Sequence, residues 1–144
     1  MPTPDRDTQA VIYIRVASRH PDDAGAIARQ RAECLRIARE RGLTVIREYV
    51  DQGRPGHFSL QLELQHLLRD LATRHDAAFV VVRDYARLGR SLADFDTALQ
   101  LIRAHGAEVA TVTGIEAAER FIREHGLGAE IPPHQGHLQS EGDK

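Results

Sequence analysis

The sequence predicts an α/β fold: a mainly parallel sheet of four to five strands, flanked by helices. Short β-branched apolar runs alternate with longer segments whose apolar residues have helical spacing. A strand–helix–strand order repeated along the chain implies right-handed crossovers, and therefore parallel neighbours. The 144 residues suit one domain, and 42% hydrophobic with 28% charged residues is the composition of an ordinary globular protein.

Each element has its own local signal. The strand runs are short and rich in valine, isoleucine and alanine, and they cover residues 10–16, 44–50, 77–82 and 109–112. The segments with helical spacing cover residues 24–40, 60–73, 91–104 and, as a short last helix, 117–125. Gly42 and Gly106 follow two of these segments, where glycine commonly ends a helix, and Ser91 is placed to begin one.

The apolar stripes of the first two helices predict which of their faces meet the sheet. The predicted core positions of the first helix are Ala24, Ile27, Ala28, Cys34, Leu35 and Ala38. Those of the second helix are Leu60, Leu64, Leu67, Leu68 and Leu71.

The composition predicts how the chain divides into segments and which classes of protein and site are excluded. We expect a flexible N-terminus over residues 1–9, one domain over 10–125, and a disordered Gly/Pro/His-rich tail over 126–144. No apolar run reaches the roughly 18 residues that span a bilayer, so no membrane partner is expected. The single cysteine, Cys34, allows no internal disulfide and favours a cytoplasmic location. No glycine-rich phosphate fingerprint is present, and we expect neither a cofactor nor a metal site.

Arginines dominate the positive charge and cluster after the predicted strands. The net charge is −2, and 18 of the 19 basic residues are arginine, so nucleic-acid binding has to be argued from where arginines converge. Ligands of parallel sheets bind beyond the carboxyl ends of the strands, and five arginines are expected there: Arg15, Arg54, Arg83, Arg87 and Arg90. The guanidinium fork matches phosphate oxygens, and Asp51 and Asp84 are close enough in sequence to neutralise part of the cluster.

Four short motifs occur in order along this frame. Residues 13–18 read Tyr-Ile-Arg-Val-Ala-Ser, 30–34 read Gln-Arg-Ala-Glu-Cys, 51–56 read Asp-Gln-Gly-Arg-Pro-Gly, and 85–90 read Tyr-Ala-Arg-Leu-Gly-Arg. Taken together over residues 10–114, they resemble the catalytic domain of serine recombinases, the resolvase and invertase family. The resemblance implies attack of a serine hydroxyl on a DNA phosphodiester without a metal ion.

The resemblance also implies roles for particular residues. Tyr13, Arg15, Arg87 and Arg90 fall on family positions, where arginines hold the scissile phosphate and stabilise charge on its oxygens. The implied partners are DNA, mainly through its phosphate backbone, and a second recombinase-like subunit or a homodimer.

Three departures from the family pattern affect catalysis. Ala17 stands where the family has its nucleophile, Gln61-Leu62 stands where it has Arg-Pro, and Ala86 stands where it has aspartate. Because alternate strand residues share a face, Tyr13 and Arg15 point with Ala17, while Ser18 points to the other side. We therefore expect a degenerate domain that binds DNA phosphates or a partner without efficient cleavage. Two alternatives stay open: an active subunit that uses Ser18 as nucleophile, and a receiver-like or flavodoxin-like regulatory domain with Asp51 as acceptor.

Overall fold

The structure, a computed structural model, describes residues 5–16, 23–53, 61–89 and 92–111. Its elements in chain order are β1 (Gln9–Val16), α1 (Asp23–Glu40), β2 (Thr44–Gln52), α2 (Leu62–Arg74), β3 (Phe79–Val81), α3 (Leu92–Ala104) and β4 (Glu108–Ala110). The four strands form one sheet in the order β2-β1-β3-β4, and every neighbouring pair is parallel. The predicted fold class is confirmed.

The central strand β1 is buried on both faces, so alternate residues feed two separate cores. Val11 and Tyr13 pack on the side of α2 and α3, together with Leu64, Leu67, Phe95 and Ile102. Ala10, Ile12 and Ile14 pack on the side of α1, with Cys34 and Ile37. The crossover through α1 runs across the sheet in one direction, and the crossovers through α2 and α3 run in the other. Because each crossover is right-handed, α1 lies on one face of the sheet and α2 and α3 lie on the other.

Glycines end two of the helices as the sequence predicts. Gly42 follows α1 with φ of 71° and Gly106 follows α3 with φ of 82°, a left-handed conformation that glycine adopts without steric cost. At the end of α2 the same conformation falls on a non-glycine residue, His75, with φ of 51°. Ser91, Leu60 and the predicted last helix over residues 117–125 lie outside the described residues.

The predicted core stripe of α1 is partly wrong. Leu35 is 39% exposed, and Ala24 and Ala28 also face solvent. The buried face is instead formed by Gln30, Cys34, Ile37 and Ala38. Small alanines tolerate water, whereas Ile37 buries a larger apolar side chain and Gln30 has a hydrogen-bonding task at the sheet, so these residues set the rotation of the helix.

Part of the N-terminal segment expected to be flexible is held against the domain. Residues Arg6–Thr8 form a 3₁₀ turn that Asp5 caps, and β1 begins at Gln9. The Arg6 guanidinium donates to the carbonyl oxygen of Gly106 at 2.7 Å, which satisfies a free carbonyl at the end of α3. The Gln9 amide donates to the carbonyl of Asp76 at 2.9 Å.

Candidate functional site

The candidate site lies at the carboxyl end of β1, where the strand order changes direction. β1 pairs with β2 as far as Val16, but its pairing with β3 covers only Ala10 to Ile12. The strands β1 and β3 therefore separate toward their carboxyl ends and leave a crevice between them. Such a crevice is where open parallel sheets bind ligands.

Two residues of α1 bond to the strand edges that this separation exposes. The Gln30 side chain donates to the Arg15 carbonyl at 3.0 Å and accepts from the Arg15 amide at 3.4 Å. One helical turn later, the Cys34 thiol donates to the carbonyl of Val81 at 3.8 Å. Burial raises the pKa of this thiol to about 12, so Cys34 is a packing residue and not a nucleophile. The motif over residues 30–34 thus closes the crevice from the α1 side.

Arg15 and Arg87 hold each other at the mouth of the crevice. The Nε atom of Arg15 donates to the carbonyl of Arg87 at 3.1 Å, and Nη1 of Arg87 donates to the carbonyl of Arg15 at 3.3 Å. Arg87 lies in a 3₁₀ turn, Tyr85–Leu88, directly after the loop that follows β3. Each guanidinium is therefore fixed on the main chain of the other, and β1 is tied to the turn.

Asp84 lies between two arginines and is only 3% exposed. One of its oxygens is 3.5 Å from Nη1 of Arg83, and the other is 3.5 Å from Nε of Arg87. The second pair is close enough for electrostatic attraction, but within the described residues neither atom makes a hydrogen bond. Arg83 also pairs with Glu33 of α1 at 2.9 Å, so its guanidinium faces the α1 side of the sheet.

A second buried network links Tyr13, Asp51 and Gln61. The Tyr13 hydroxyl donates to Asp51 at 2.8 Å and accepts from the Gln61 amide at 2.8 Å. The same amide nitrogen donates to the carbonyl of Arg87 at 3.0 Å. Burial, and next the negative charge of Asp51, raise the pKa of the Tyr13 hydroxyl far above its usual range. Tyr13 therefore remains protonated and acts as a hydrogen-bond donor.

Asp51 supplies the N-terminal cap that α2 lacks locally. Gln61 occupies the cap position of α2 and makes no capping hydrogen bond with its side chain. The Asp51 carboxylate, at the end of β2, accepts instead from the backbone amides of Glu63 at 3.1 Å and Leu64 at 3.3 Å. A carboxylate at a helix N-terminus also interacts favourably with the helix dipole. With 1% exposure and both oxygens bonded, Asp51 has no free surface for a phosphoryl donor, which opposes the receiver-like alternative.

The structure brings some predicted site residues together and separates others. Tyr13, Arg15 and Arg87 converge through the contacts above, whereas Arg83 turns toward α1. The remaining residues predicted for the site lie outside the described residues: Ala17, Ser18, Arg54 and Arg90.

The linking roles of two residues were not predicted from the sequence. Gln61 was interpreted from the sequence as the loss of an arginine, but it is fully buried and joins Tyr13 to the Arg87 turn. Gln30 carried a signal, since it precedes Cys34 by one helical turn and therefore shares its inward face. Among the described residues no cluster of metal-binding side chains is found. None of the helices described has the length and apolarity to cross a bilayer.

Comparisons with known proteins agree with this fold. The family model for the resolvase N-terminal domain matches residues 10–125. Solved structures with the same fold include a resolvase family site-specific recombinase from Streptococcus pneumoniae, with TM-score 0.66, 17% identity and 95% of each chain covered. The N-terminal catalytic domain of TP901-1 integrase has TM-score 0.65 and 22% identity, with 81% of this chain and 97% of that chain covered.

A third solved structure has the same fold. The C-terminal catalytic domain of ISC1926 TnpA, an IS607-like serine recombinase, has TM-score 0.63 and 24% identity over 81% of this chain and 77% of that chain. No curated protein matches the sequence. At these identities the solved structures establish the fold, and the family model, which spans well over half of the sequence, establishes the family. The chain belongs to the resolvase N-terminal domain family, whose structural neighbours here are serine recombinase catalytic domains.

Proposed function

We propose that this domain binds the phosphate backbone of DNA at the crevice between β1 and β3 and does not cleave it. The observation that carries the proposal is the Arg15–Arg87 pair, fixed beside a buried neutral amide, Gln61. The arginines retain the capacity to hold a phosphate, while the groups that would drive its cleavage are replaced.

Arg87 is the group best placed to meet a phosphate. Its side chain is 19% exposed, and among the described residues its Nε has no hydrogen-bond acceptor. Because Nε is buried, a phosphate oxygen would accept charge-assisted hydrogen bonds from the exposed part of the guanidinium. Arg15 acts mainly as the anchor that orients the Arg87 turn. Arg54 and Arg90 are expected from the sequence to add contacts.

Three replacements together support the loss of cleavage. Ala17 has no hydroxyl to attack the phosphodiester, and loss of a nucleophile lowers the rate roughly 10⁶-fold in a well-characterised hydrolase. Gln61, at the position of a family arginine, is neutral, fully buried and already bonded to Tyr13 and the Arg87 carbonyl. It cannot make the charge-assisted hydrogen bonds that stabilise a phosphoryl transition state. Ala86 supplies no carboxylate.

A nicked suicide DNA substrate tests the proposal. We expect salt-sensitive association without a covalent adduct on a denaturing gel. Arg87→Gln should remove one phosphate contact and lower the salt slope by about 0.9. Arg103→Gln on α3, which breaks an exposed pair with Glu108 of β4, should leave the slope unchanged. An adduct that disappears in Ser18→Ala would refute the proposal and support the alternative of an active subunit.

Restoring only the hydroxyl at position 17 tests whether the missing nucleophile by itself accounts for the loss of cleavage. Ala17→Ser should still give no adduct, because Gln61 and Ala86 leave developing negative charge unopposed. Adduct formation by this single variant would show that the nucleophile is the only missing group. Self-association, which the family resemblance leads us to expect, is checked on the same samples by sedimentation.

A further inference from the structure

The outward face of α1 concentrates positive charge in a chain whose net charge is negative. Arg29, Arg36 and Arg39 are all exposed on this helix. At 3.6 residues per turn they lie within about a quarter turn of one another, so they form one stripe, called here the α1 arginine face. Arg41 follows in the turn after the helix and is also exposed.

Few carboxylates offset this stripe. Arg36 pairs with Glu40 at 3.1 Å, one turn along the same helix. Glu33 is engaged by Arg83, and within the described residues Arg29, Arg39 and Arg41 have no acidic partner. Two of the three exposed arginines on the other helices differ, since Arg74 pairs with Asp70 and Arg103 pairs with Glu108, whereas Arg69 has no ion pair within the described residues. Among the described helices, α1 with the turn that follows it therefore carries the most arginines without an acidic partner.

The surroundings of these arginines suit a close approach of a polyanion. Gly25 and Ala28, just before Arg29, and Ala32, between Arg29 and Arg36, are also exposed, so little side-chain bulk stands beside the arginines. The Arg29 guanidinium lies along the helix over Gly25, where a Cβ atom would be 3.3 Å from Nη1. Leu35 is the one large apolar residue exposed on the described part of this helix, too little to form the apolar centre of a protein interface.

The spacing also matches a nucleic-acid backbone. Arg29 and Arg39 are ten residues apart, which is about 15 Å along the helix axis. A duplex presents a phosphate of each strand every 3.4 Å along its axis, so several phosphates fall within this length.

We propose that the α1 arginine face is a second contact surface for the phosphate backbone of duplex DNA, flanking the crevice. The proposal rests on the DNA binding proposed above and extends it to a separate element. The first turns of α1 adjoin the crevice, because Gln30, the neighbour of Arg29, bonds to the main chain of Arg15. α1 begins at the carboxyl edge of the sheet and runs back along it, so the stripe starts near the crevice and leads away from it.

A charge-matched pair of triple variants tests this surface. The test variant is R29Q/R36Q/R39Q, and the control is R69Q/R74Q/R103Q, which removes the same charge from exposed positions on α2 and α3. Binding of a short mixed-sequence duplex is followed by fluorescence anisotropy at increasing salt. We expect the salt slope of the test variant to fall by roughly 2 to 3, and that of the control by less than about 1. Thermal unfolding by circular dichroism confirms that both variants remain folded.

Each outcome decides between the two proposals. Equal losses in the two triple variants would show a general charge effect and overturn the α1 surface. The α1 surface is also overturned, while the crevice stands, if only Arg87→Gln weakens binding. If only the R29Q/R36Q/R39Q variant weakens binding, the α1 arginine face is supported and the proposal of binding at the crevice is overturned. A polyglutamate peptide that binds as tightly as duplex DNA and responds equally to the test variant would show an acceptor of acidic protein segments instead. Absence of wild-type binding at about 50 mM salt overturns both proposals, since backbone binding is strongest at low salt.

Discussion

Asp51 and Asp84 are both almost fully buried carboxylates, each just beyond or at the end of a parallel strand, yet their surroundings differ. Asp51 accepts from the Tyr13 hydroxyl and from two backbone amides of α2. Asp84 makes one long contact of 3.5 Å with Arg83, and within the described residues its other oxygen makes no hydrogen bond. Saturated hydrogen bonding is typical of a structural group, whereas unused capacity beside an arginine is typical of a place that receives a ligand. The comparison indicates a structural role for the β2 side of β1, and the binding that we propose lies on the β3 side.

The largest expected effect is on Asp51. Asp51→Ala leaves the Tyr13 hydroxyl and two amides of α2 without their acceptor, so we expect a loss of about 3 to 4 kcal/mol in the free energy of unfolding. Urea denaturation followed by circular dichroism measures it. Asp51→Asn, which keeps one acceptor oxygen, serves as the milder control. A loss below about 1 kcal/mol would contradict the structural assignment of Asp51.

Gln61 comes next, because it joins the two sides of β1. Gln61→Ala removes the hydrogen bonds to Tyr13 and to the Arg87 carbonyl, and we expect the free energy of unfolding to fall by about 2 kcal/mol. We expect no larger decrease, because the side-chain oxygen Oε1 has no hydrogen-bond partner within the described residues. Its burial already destabilises the wild-type protein, and the variant removes this cost. Urea denaturation measures the decrease. An effect as large as that of Asp51→Ala would show that Oε1 is satisfied in solution.

Asp84 should matter less for folding than its burial suggests. Asp84→Asn is expected to change the free energy of unfolding by less than about 1 kcal/mol, because the Asp84 oxygens lie as far as 3.5 Å from the arginine nitrogens and one of them is unbonded within the described residues. The same urea experiment provides the measurement. A decrease equal to that of Asp51→Asn would break the distinction between the two sides of the sheet.

The smallest effect concerns Asp76, a partly exposed carboxylate at the opposite edge of the sheet. Two hydrogen bonds from the Arg47 guanidinium lower the pKa of Asp76 below its ordinary value. A lowered folded-state pKa adds stability above the unfolded-state pKa, near 3.8, and this stability is lost as pH falls through the folded-state pKa. Asp76→Asn should therefore flatten the acid limb of stability below about pH 5. Unfolding midpoints at several pH values test it, and an unchanged acid limb would exclude this pair as a contributor.

The sequence predicted the scaffold well because apolar periodicity and glycine positions are local signals. The parallel sheet, the two glycine helix ends and the shared direction of Tyr13 and Arg15 all follow from such patterns. The interactions of Asp51 and Gln61 were not predictable, since each contacts residues ten or more positions away. The rotation of α1 was also missed. Counting apolar residues favoured Leu35, whereas a polar side chain, Gln30, takes the inward position because it bonds to the exposed edge of β1.

The hydrogen bond between Arg6 and the Gly106 carbonyl, just after α3, has a practical consequence for labelling and fusion. It fixes the path of the chain just before β1, at the edge of the sheet opposite the crevice. β1 has eight residues and spans roughly 25 Å at about 3.3 Å per residue. A fluorophore or fused module joined ahead of Asp5 is therefore delivered far from Arg87, and reports on the protein without obstructing it.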